Sequence, residues 1–337
     1  MRGDVIKTRA EIFASASVVG GKESEGPLGK LFDFCDPCDR FGMKTWEKSE
    51  SEMQRMALNT ALAKGETKPE KIGALFAGDL LNQCVGSAYG LQGFGIPYIG
   101  LYGACSTCAE SLLLASFIVS HGMCNIAAAV TSSHYCSAER QYRTPLEYGA
   151  QRAPTAQWTV TGAGAFLVRG VCQEESVGKG RAIVKRCVIG CVQDSGVADA
   201  ANMGAAMAPA ALDTLCRFFK ETQANPTDYD LILTGDLGYE GREILCSLMQ
   251  AEGYDIASVY NDCGCMIYDR VKQDVHGGGS GCGCSAVVFS ADILPKIKRG
   301  ELSRILFLAT GAMMSPDSLK QGEKVLAVAH LLEIEHA

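Results

Sequence analysis

The sequence predicts an α/β protein made of two copies of one unit, with mainly parallel strands buried on both faces between layers of helix. Three observations predict it. Residues 71–80 (KIGALFAGDL) and 228–237 (DYDLILTGDL) are near repeats, each a strand-like apolar run ending in Gly-Asp-Leu. Further along, GACS at 103–106 aligns with CGCS at 282–285, each opening an apolar helix of about five turns. Strand-like runs follow in both places, NIAAAVTSS at 125–133 and RILFLATGA at 304–312. The order strand, Gly-rich turn, helix, strand is therefore used twice, and strands alternating with helices read as βαβ units.

In chain order, the runs ALFAG and IAAAV of the first copy, and LILT and ILFLAT of the second, are apolar without alternation. That is the pattern of strands covered on both faces. The runs VTGAGAFLV (160–168) and VLAVAHLLEIE (325–335) read as the closing strands of the two copies. The second copy carries 22 extra residues between its Gly-Asp-Leu and its helix. The polar stretch Gly170–Gly180 is the expected boundary, which divides the chain into halves 1–172 and 173–337.

Composition excludes several classes. The chain has 337 residues, 31 Lys+Arg against 38 Asp+Glu, a formal net charge of -7 and 47% hydrophobic residues, as a globular protein does. An acidic balance without a Lys/Arg-rich block argues against nucleic acid as the main partner. The longest apolar stretch, around Ser111–Ser120, is bounded by Glu110 and His121 and reads as a buried core helix, too short to span a bilayer. The N-terminal MRGDVIKTRAEIF scatters charges where a secretory signal would need an apolar core.

Sixteen cysteines without a signal peptide point to a reducing compartment. Cys35 and Cys38 have metal-knuckle spacing, but no second pair at zinc-ribbon spacing follows. The reading for most cysteines is packing as small buried hydrophobes, with no bound metal and no cofactor. Cys105 differs, because GACSTCAE places it at a helix start, where Thr107 and Glu110 have capping-box spacing. Free N–H groups there favour a thiolate, or a bound carboxylate. A small buried cysteine in a tight turn is the equally open alternative.

A cysteine in GACSTCAES, followed some 55 residues on by TGAGAFLV, resembles the thiolase and ketoacyl-synthase superfamily. The resemblance implies a five-layered α-β-α-β-α fold with two mixed, mainly parallel sheets, and Cys105 at the nucleophile position. Within the superfamily, the chain resembles the stage V sporulation protein AD family. The segments that carry this are PLGKLFD (27–33), AGDLLNQ (77–83), TSSHYCSAERQYRTPLEYG (131–149), TAQWTVTGAGA (155–165), NMGAAMAPAALDT (202–214), GGGSGCGCSAVV (277–288) and ATGAMMSP (309–316).

The family resemblance implies a binding protein for dipicolinate (pyridine-2,6-dicarboxylate), taken as the free acid or as its calcium chelate. It implies a role in moving dipicolinate into the developing spore and releasing it in germination. It further implies peripheral attachment to the membrane proteins of the SpoVA transport assembly at the spore inner membrane, and a homodimer, as is usual for the superfamily.

Condensing enzymes of the superfamily add His with Asn, or two His, on second-half loops. At the first of these places the chain reads Thr234-Gly235-Asp236-Leu237-Gly238, without His. At the second, His276-Gly-Gly-Gly-Ser lacks the usual Asn, although His276 itself stands nearby as a substitute base or a loop residue. A non-catalytic protein is the leading reading. A Cys-dependent acyl-CoA condensing or acyl-transfer enzyme using Cys105 with His276 is the alternative.

A planar dianion needs N–H and hydroxyl donors, a cation and flat apolar walls. The expected ligand-binding set is Cys105, Ser106, Ser132, Ser133, His134, Arg140, Thr161 and Ser280. Arg143 is a second candidate cation, and Tyr135 or Trp158 a candidate stacking wall.

Overall fold

The computed structural model describes residues 4–142, 152–171 and 180–337. Ten strands form one continuous ladder. They are β1 (Val5–Gly20), β2 (Ala74–Gly78), β3 (Tyr98–Leu101), β4 (Ile126–Ser133), β5 (Gly162–Gly170), β6 (Ala182–Val188), β7 (Leu231–Thr234), β8 (Tyr260–Asp262), β9 (Arg304–Met313) and β10 (Leu326–His336). The spatial order is β8-β7-β9-β10-β6-β1-β5-β4-β2-β3. Each set of five thus follows the same order, third, second, fourth, fifth, first. The two sets meet where β1 pairs antiparallel with β6, Val5 opposite Val188. Short strands at Phe34–Asp36 and Gln193–Asp194 add to β1 and β10.

The repeat read from the sequence is therefore the repeat of the fold, but the expected strand directions need correcting. In each set two ladders are parallel (β3–β2 and β2–β4; β8–β7 and β7–β9) and two antiparallel (β4–β5 and β5–β1; β9–β10 and β10–β6). The closing strand of each set lies antiparallel beside its predecessor, Arg169 opposite Ile126 and Glu335 opposite Arg304. The two sheets are also continuous through the β1–β6 ladder. The expected boundary at 172/173 lies outside the described residues.

Helices fill three layers. The central one holds α3 (Thr107–Ser120) and α7 (Cys282–Val288, continued by a π turn and a short helix to Lys298). Helix α3 packs on β1, β4 and β5 of the first set and on β9 and β10 of the second. Outside the first set lie α1 (Trp46–Lys64) and α2 (Val85–Leu91), and outside the second lie α5 (Met203–Thr222) and α6 (Gly238–Ala251).

Unbroken apolar strands follow from this layering. Alternate side chains point to opposite faces of a strand. In β4, Ala127 and Ala129 join the central core while Ala128 and Val130 join the outer one. In β9, Ile305, Phe307 and Ala309 face the centre, while Leu306 and Leu308 face α5. The TGAGA motif brings α7 onto β5. A Cβ on Gly164 would lie 2.6 Å from the Ala286 Cβ, too close for any other residue. Among the described residues no helix is long and apolar enough to cross a membrane.

Candidate functional site

A cavity of about 350 Å³ opens at the start of α3. Its floor is Cys105 and Ser280, one wall is Tyr142, Ala138 and Glu139 of helix α4 (Tyr135–Tyr142), and the facing wall is Gln157 with Thr159. Ala200, Ala201, Met203, Ala312 and Met314 close the remaining side. The volume is at the small end of the range for small-molecule sites.

Local structure sets each group. Ala104 holds a left-handed conformation (φ 51°), which turns the chain so that Cys105 enters the helix start from the cavity side. Gly281 has φ 100°, and a Cβ there would lie 2.4 Å from the Ser133 Oγ, so glycine is required where the chain leaves Ser280. The Ser280 hydroxyl lies 3.9 Å from the Cys105 Sγ and donates to the Asp236 Oδ2 at 3.1 Å. The same Oδ2 accepts the Gly281 N–H at 2.9 Å, and Oδ1 accepts the Thr310 hydroxyl at 3.1 Å. Gln157 spans the site, its Nε2 donating to the Asp236 carbonyl at 2.7 Å and the Gly279 carbonyl at 2.9 Å. Its Oε1 is buried and has no partner.

The electrostatics oppose the expected thiolate. Burial pushes the Cys105 thiol well above its ordinary range, and the Asp236 carboxylate beside it pushes further the same way. Burial also raises Asp236, to about 7, with the nearby charge of Asp262 adding to the rise and the donors around the carboxyl opposing it. The expected capping box is not formed. Thr107 Oγ1 instead accepts from Gly103 N at 3.1 Å and donates to the Ala104 carbonyl at 2.7 Å, while Glu110 Oε2 is buried without a partner. Helix-end amides thus do not set the charge state of Cys105, because desolvation and a neighbouring carboxylate outweigh them.

The structure brings together two of the expected ligand-binding residues, Cys105 and Ser280, and places the rest elsewhere. Ser106 is buried and donates to the Gly103 carbonyl at 2.6 Å. Ser132 donates to the Glu50 carboxylate at 2.9 Å and accepts from Gln54 at 2.7 Å, inside a polar cluster between α1 and β4. Ser133 donates to the Val160 carbonyl at 2.7 Å and accepts from the Gly283 N–H. Thr161 accepts the Tyr135 N–H through its hydroxyl at 3.2 Å. His134 is buried between the Asp39 carbonyl (2.9 Å from Nε2) and the Cys136 N–H, a loop brace rather than a cavity group. Arg140 projects from the exposed side of α4 and pairs with Glu47. His276 braces its own loop, with Nδ1 2.9 Å from the Ala153 carbonyl and Nε2 3.1 Å from Asp274. Tyr135 and Trp158 stack on each other (4.0 Å, 11°), so neither offers the stacking wall expected of it. Arg143 lies outside the described residues.

Sequence reasoning missed Asp236, Gln157 and Tyr142. The signal for Asp236 was present, since the repeated Gly-Asp-Leu puts it opposite Asp79 of the first copy. Asp79 is buried too, but it accepts from Ser87 and Leu81 N–H groups and faces Glu50, away from Cys105. Among the described residues no group of three or more His, Cys, Asp or Glu side chains is arranged to hold a metal ion.

Comparison with known proteins gives a family and a fold. The family model described as stage V sporulation protein AD matches residues 2–335. Stage V sporulation protein AD of Bacillus subtilis (strain 168) is 41% identical over 324 residues, covering 96% of this chain and 94% of that protein. Among solved structures, cerulenin-bound OleA of Xanthomonas campestris aligns with a TM-score of 0.61 at 16% identity, over 98% of this chain and 97% of that one. The 3-oxoacyl-[acyl-carrier-protein] synthase III of Aquifex aeolicus aligns with a TM-score of 0.58 at 12% identity, over 97% and 100%. At these identities the two structures share the fold, which is thiolase-like.

Proposed function

The chain belongs to the stage V sporulation protein AD family, and from that premise we propose that it is a non-catalytic binding protein for dipicolinate in the spore. In this reading it serves dipicolinate uptake during sporulation and release in germination, held peripherally on membrane proteins of a transport assembly. A homodimer belongs to the same reading. Strand β3 lies at the outer end of the ladder, with Ile99 50% exposed on it.

The observation that carries the proposal is Asp236 beside Cys105. Acyl transfer on this fold needs a thiolate and preorganised donors for the thioester oxygen. A buried carboxylate in contact with the thiol holds it protonated, and it offers no donor while ionised. Neither His276 nor His134 reaches the cavity wall. What is left is a small, largely apolar cavity with hydroxyl and amide groups on its floor and one wall, suited to holding a flat ring.

Calorimetric titration with dipicolinate and with acetyl-CoA, beside a CoA-release assay, tests this. Saturable 1:1 heat with dipicolinate and no CoA release above background are expected. CoA release that disappears in Cys105→Ser would overturn the non-enzyme assignment.

A further inference from the structure

We propose that the cavity takes up its anionic ligand together with one proton, which is held at Asp236. The inference rests on the dipicolinate reading of the site and specifies the chemistry of binding. Its basis is geometric. The groups lining the cavity among the described residues include no lysine, arginine or histidine. Glu139 lines one side, its carboxylate accepting from the Thr159 hydroxyl at 3.5 Å, and Gln157 lines the other, its Oε1 buried and without a hydrogen-bond partner. Gln157 is only 4% exposed, so that oxygen has no access to bulk water.

Beneath the floor, Asp236 is 1% exposed and separated from the cavity by the Cys105 sulfur and the Ser280 hydroxyl. An anion bound on that floor and an ionised Asp236 would be two negative charges in a desolvated site, and the cheapest relief is a proton on one of them. Carboxyl groups of a pyridine dicarboxylate titrate far below neutrality. Asp236 is held up near 7 by burial, so it takes the proton.

The groups around Asp236 are consistent with that role. Ser280 and Gly281 approach from the stretch below the cavity, Thr310 from β9, and Cys105 from the turn before α3. The thiols of Cys108 in α3, Cys263 after β8 and Cys284 in α7 also feel its charge. Asp262, at the end of β8, is the carboxylate whose charge acts on Asp236. It is occupied by Thr234 Oγ1 at 2.6 Å and by the Leu237 and Gly238 N–H groups at 2.8 and 3.0 Å, and burial lifts it to about 6. A protonated Asp236 keeps an acceptor oxygen for Gly281 and Ser280 while Oδ1–H can donate to Thr310, whose hydroxyl rotates.

Calorimetric titration of the wild-type protein with dipicolinate, in calcium-free buffers of different ionisation enthalpy, measures the protons taken up per ligand bound. Uptake close to one proton is expected at pH 8, falling towards zero at pH 6, with affinity dropping by about tenfold per pH unit above neutrality. Asp236→Asn should bind at pH 8 without proton uptake. Binding without uptake in the wild type at pH 8, or uptake that persists unchanged in Asp236→Asn, overturns the inference. Binding that occurs only with added calcium and no proton uptake overturns it too, because the metal then supplies the positive charge. No heat with dipicolinate at any pH, with or without calcium, defeats the underlying dipicolinate reading instead.

Discussion

The Cys105 sulfur lies 3.9 Å from the Ser280 hydroxyl, a contact between residues 175 positions apart that ties the helix start of the first copy to the Gly-rich turn of the second. The Ser280 hydroxyl in turn donates a hydrogen bond to the Asp236 carboxylate at 3.1 Å. The thiol is therefore backed by a carboxylate where an acyl-transfer site would place a cationic or neutral donor.

The first prediction concerns that thiol. Cys105 should alkylate with iodoacetamide at pH 8 more slowly than free cysteine, followed by mass spectrometry of its own peptide so that exposed Cys38 and Cys191 do not interfere. Removing the neighbouring charge in Asp236→Asn should speed it several-fold. Equal rates in the two proteins would show that Asp236 does not govern the thiol.

Glu23 offers a stability test away from the cavity. It is buried, it accepts from Tyr268 and from the Thr161 N–H, and its Oε2 has no partner. Burial pushes it from 4.5 to about 7. A carboxyl raised in the folded state contributes its full stability below the unfolded value, and loses it as pH rises through the folded one. Glu23→Gln should therefore stabilise the protein at pH 8 by on the order of 1–3 kcal/mol and have little effect at pH 4. Urea midpoints at the two pH values decide it, and destabilisation at pH 8 would contradict it.

Glu333 behaves in the opposite sense. It is fully buried and accepts from Arg186, from Arg304 and from the Tyr229 hydroxyl at 3.0 Å. Burial alone would raise its pKa, but the two guanidinium groups outweigh that and lower it. Its contribution is present above the unfolded value of 4.5 and is lost as pH falls through the lower folded one. Glu333→Ala removes the carboxylate that Arg186 pairs with and leaves Arg304 only Glu335 at 3.3 Å, and should cost about 3 kcal/mol at pH 7. A change below about 1 kcal/mol in urea unfolding would mean that the pair contributes as an exposed one does.

Arg140 separates the sequence expectation from the structure. Because its guanidinium pairs with Glu47 outside the cavity, Arg140→Ala should leave dipicolinate affinity within about twofold of wild type. Rim closure by Ala201→Trp should abolish binding without unfolding the protein, since Ala201 is half-buried. A tenfold loss in Arg140→Ala would place the ligand on the other side of α4.

Much of the fold was legible because repetition is a strong signal. Gly-Asp-Leu, GACS and CGCS, and the unbroken apolar strands each marked an element that the structure contains. The first strand of each copy was not found, nor was the short third strand, β3 and β8. In β1, residues Thr8, Ala10, Ile12, Ala14, Ala16 and Val18 are buried, and so is Glu11, but Lys7, Arg9 and Glu11 made the segment look like a charged N-terminus. The same holds for β6, where Lys185 and Arg186 interrupt AIVKRCV.

The site was less legible for a different reason. Ser132, Ser133, His134 and Thr161 do cluster near the end of β4, as their positions suggested, but a polar side chain in a buried turn must find a partner nearby. Each was satisfied by backbone or by Glu50 rather than left for a ligand. Asp236 and Gln157 come from segments far apart in the chain, and only the fold brings them to Cys105.

A crystal of the protein soaked with dipicolinate tests the central claim most directly. The account predicts density for one pyridine ring between Cys105, Gln157 and Tyr142, with the Cys105 sulfur unmodified and Asp236 still bonded to Ser280. A ligand found elsewhere with this cavity empty, or a covalent adduct on Cys105, would contradict it.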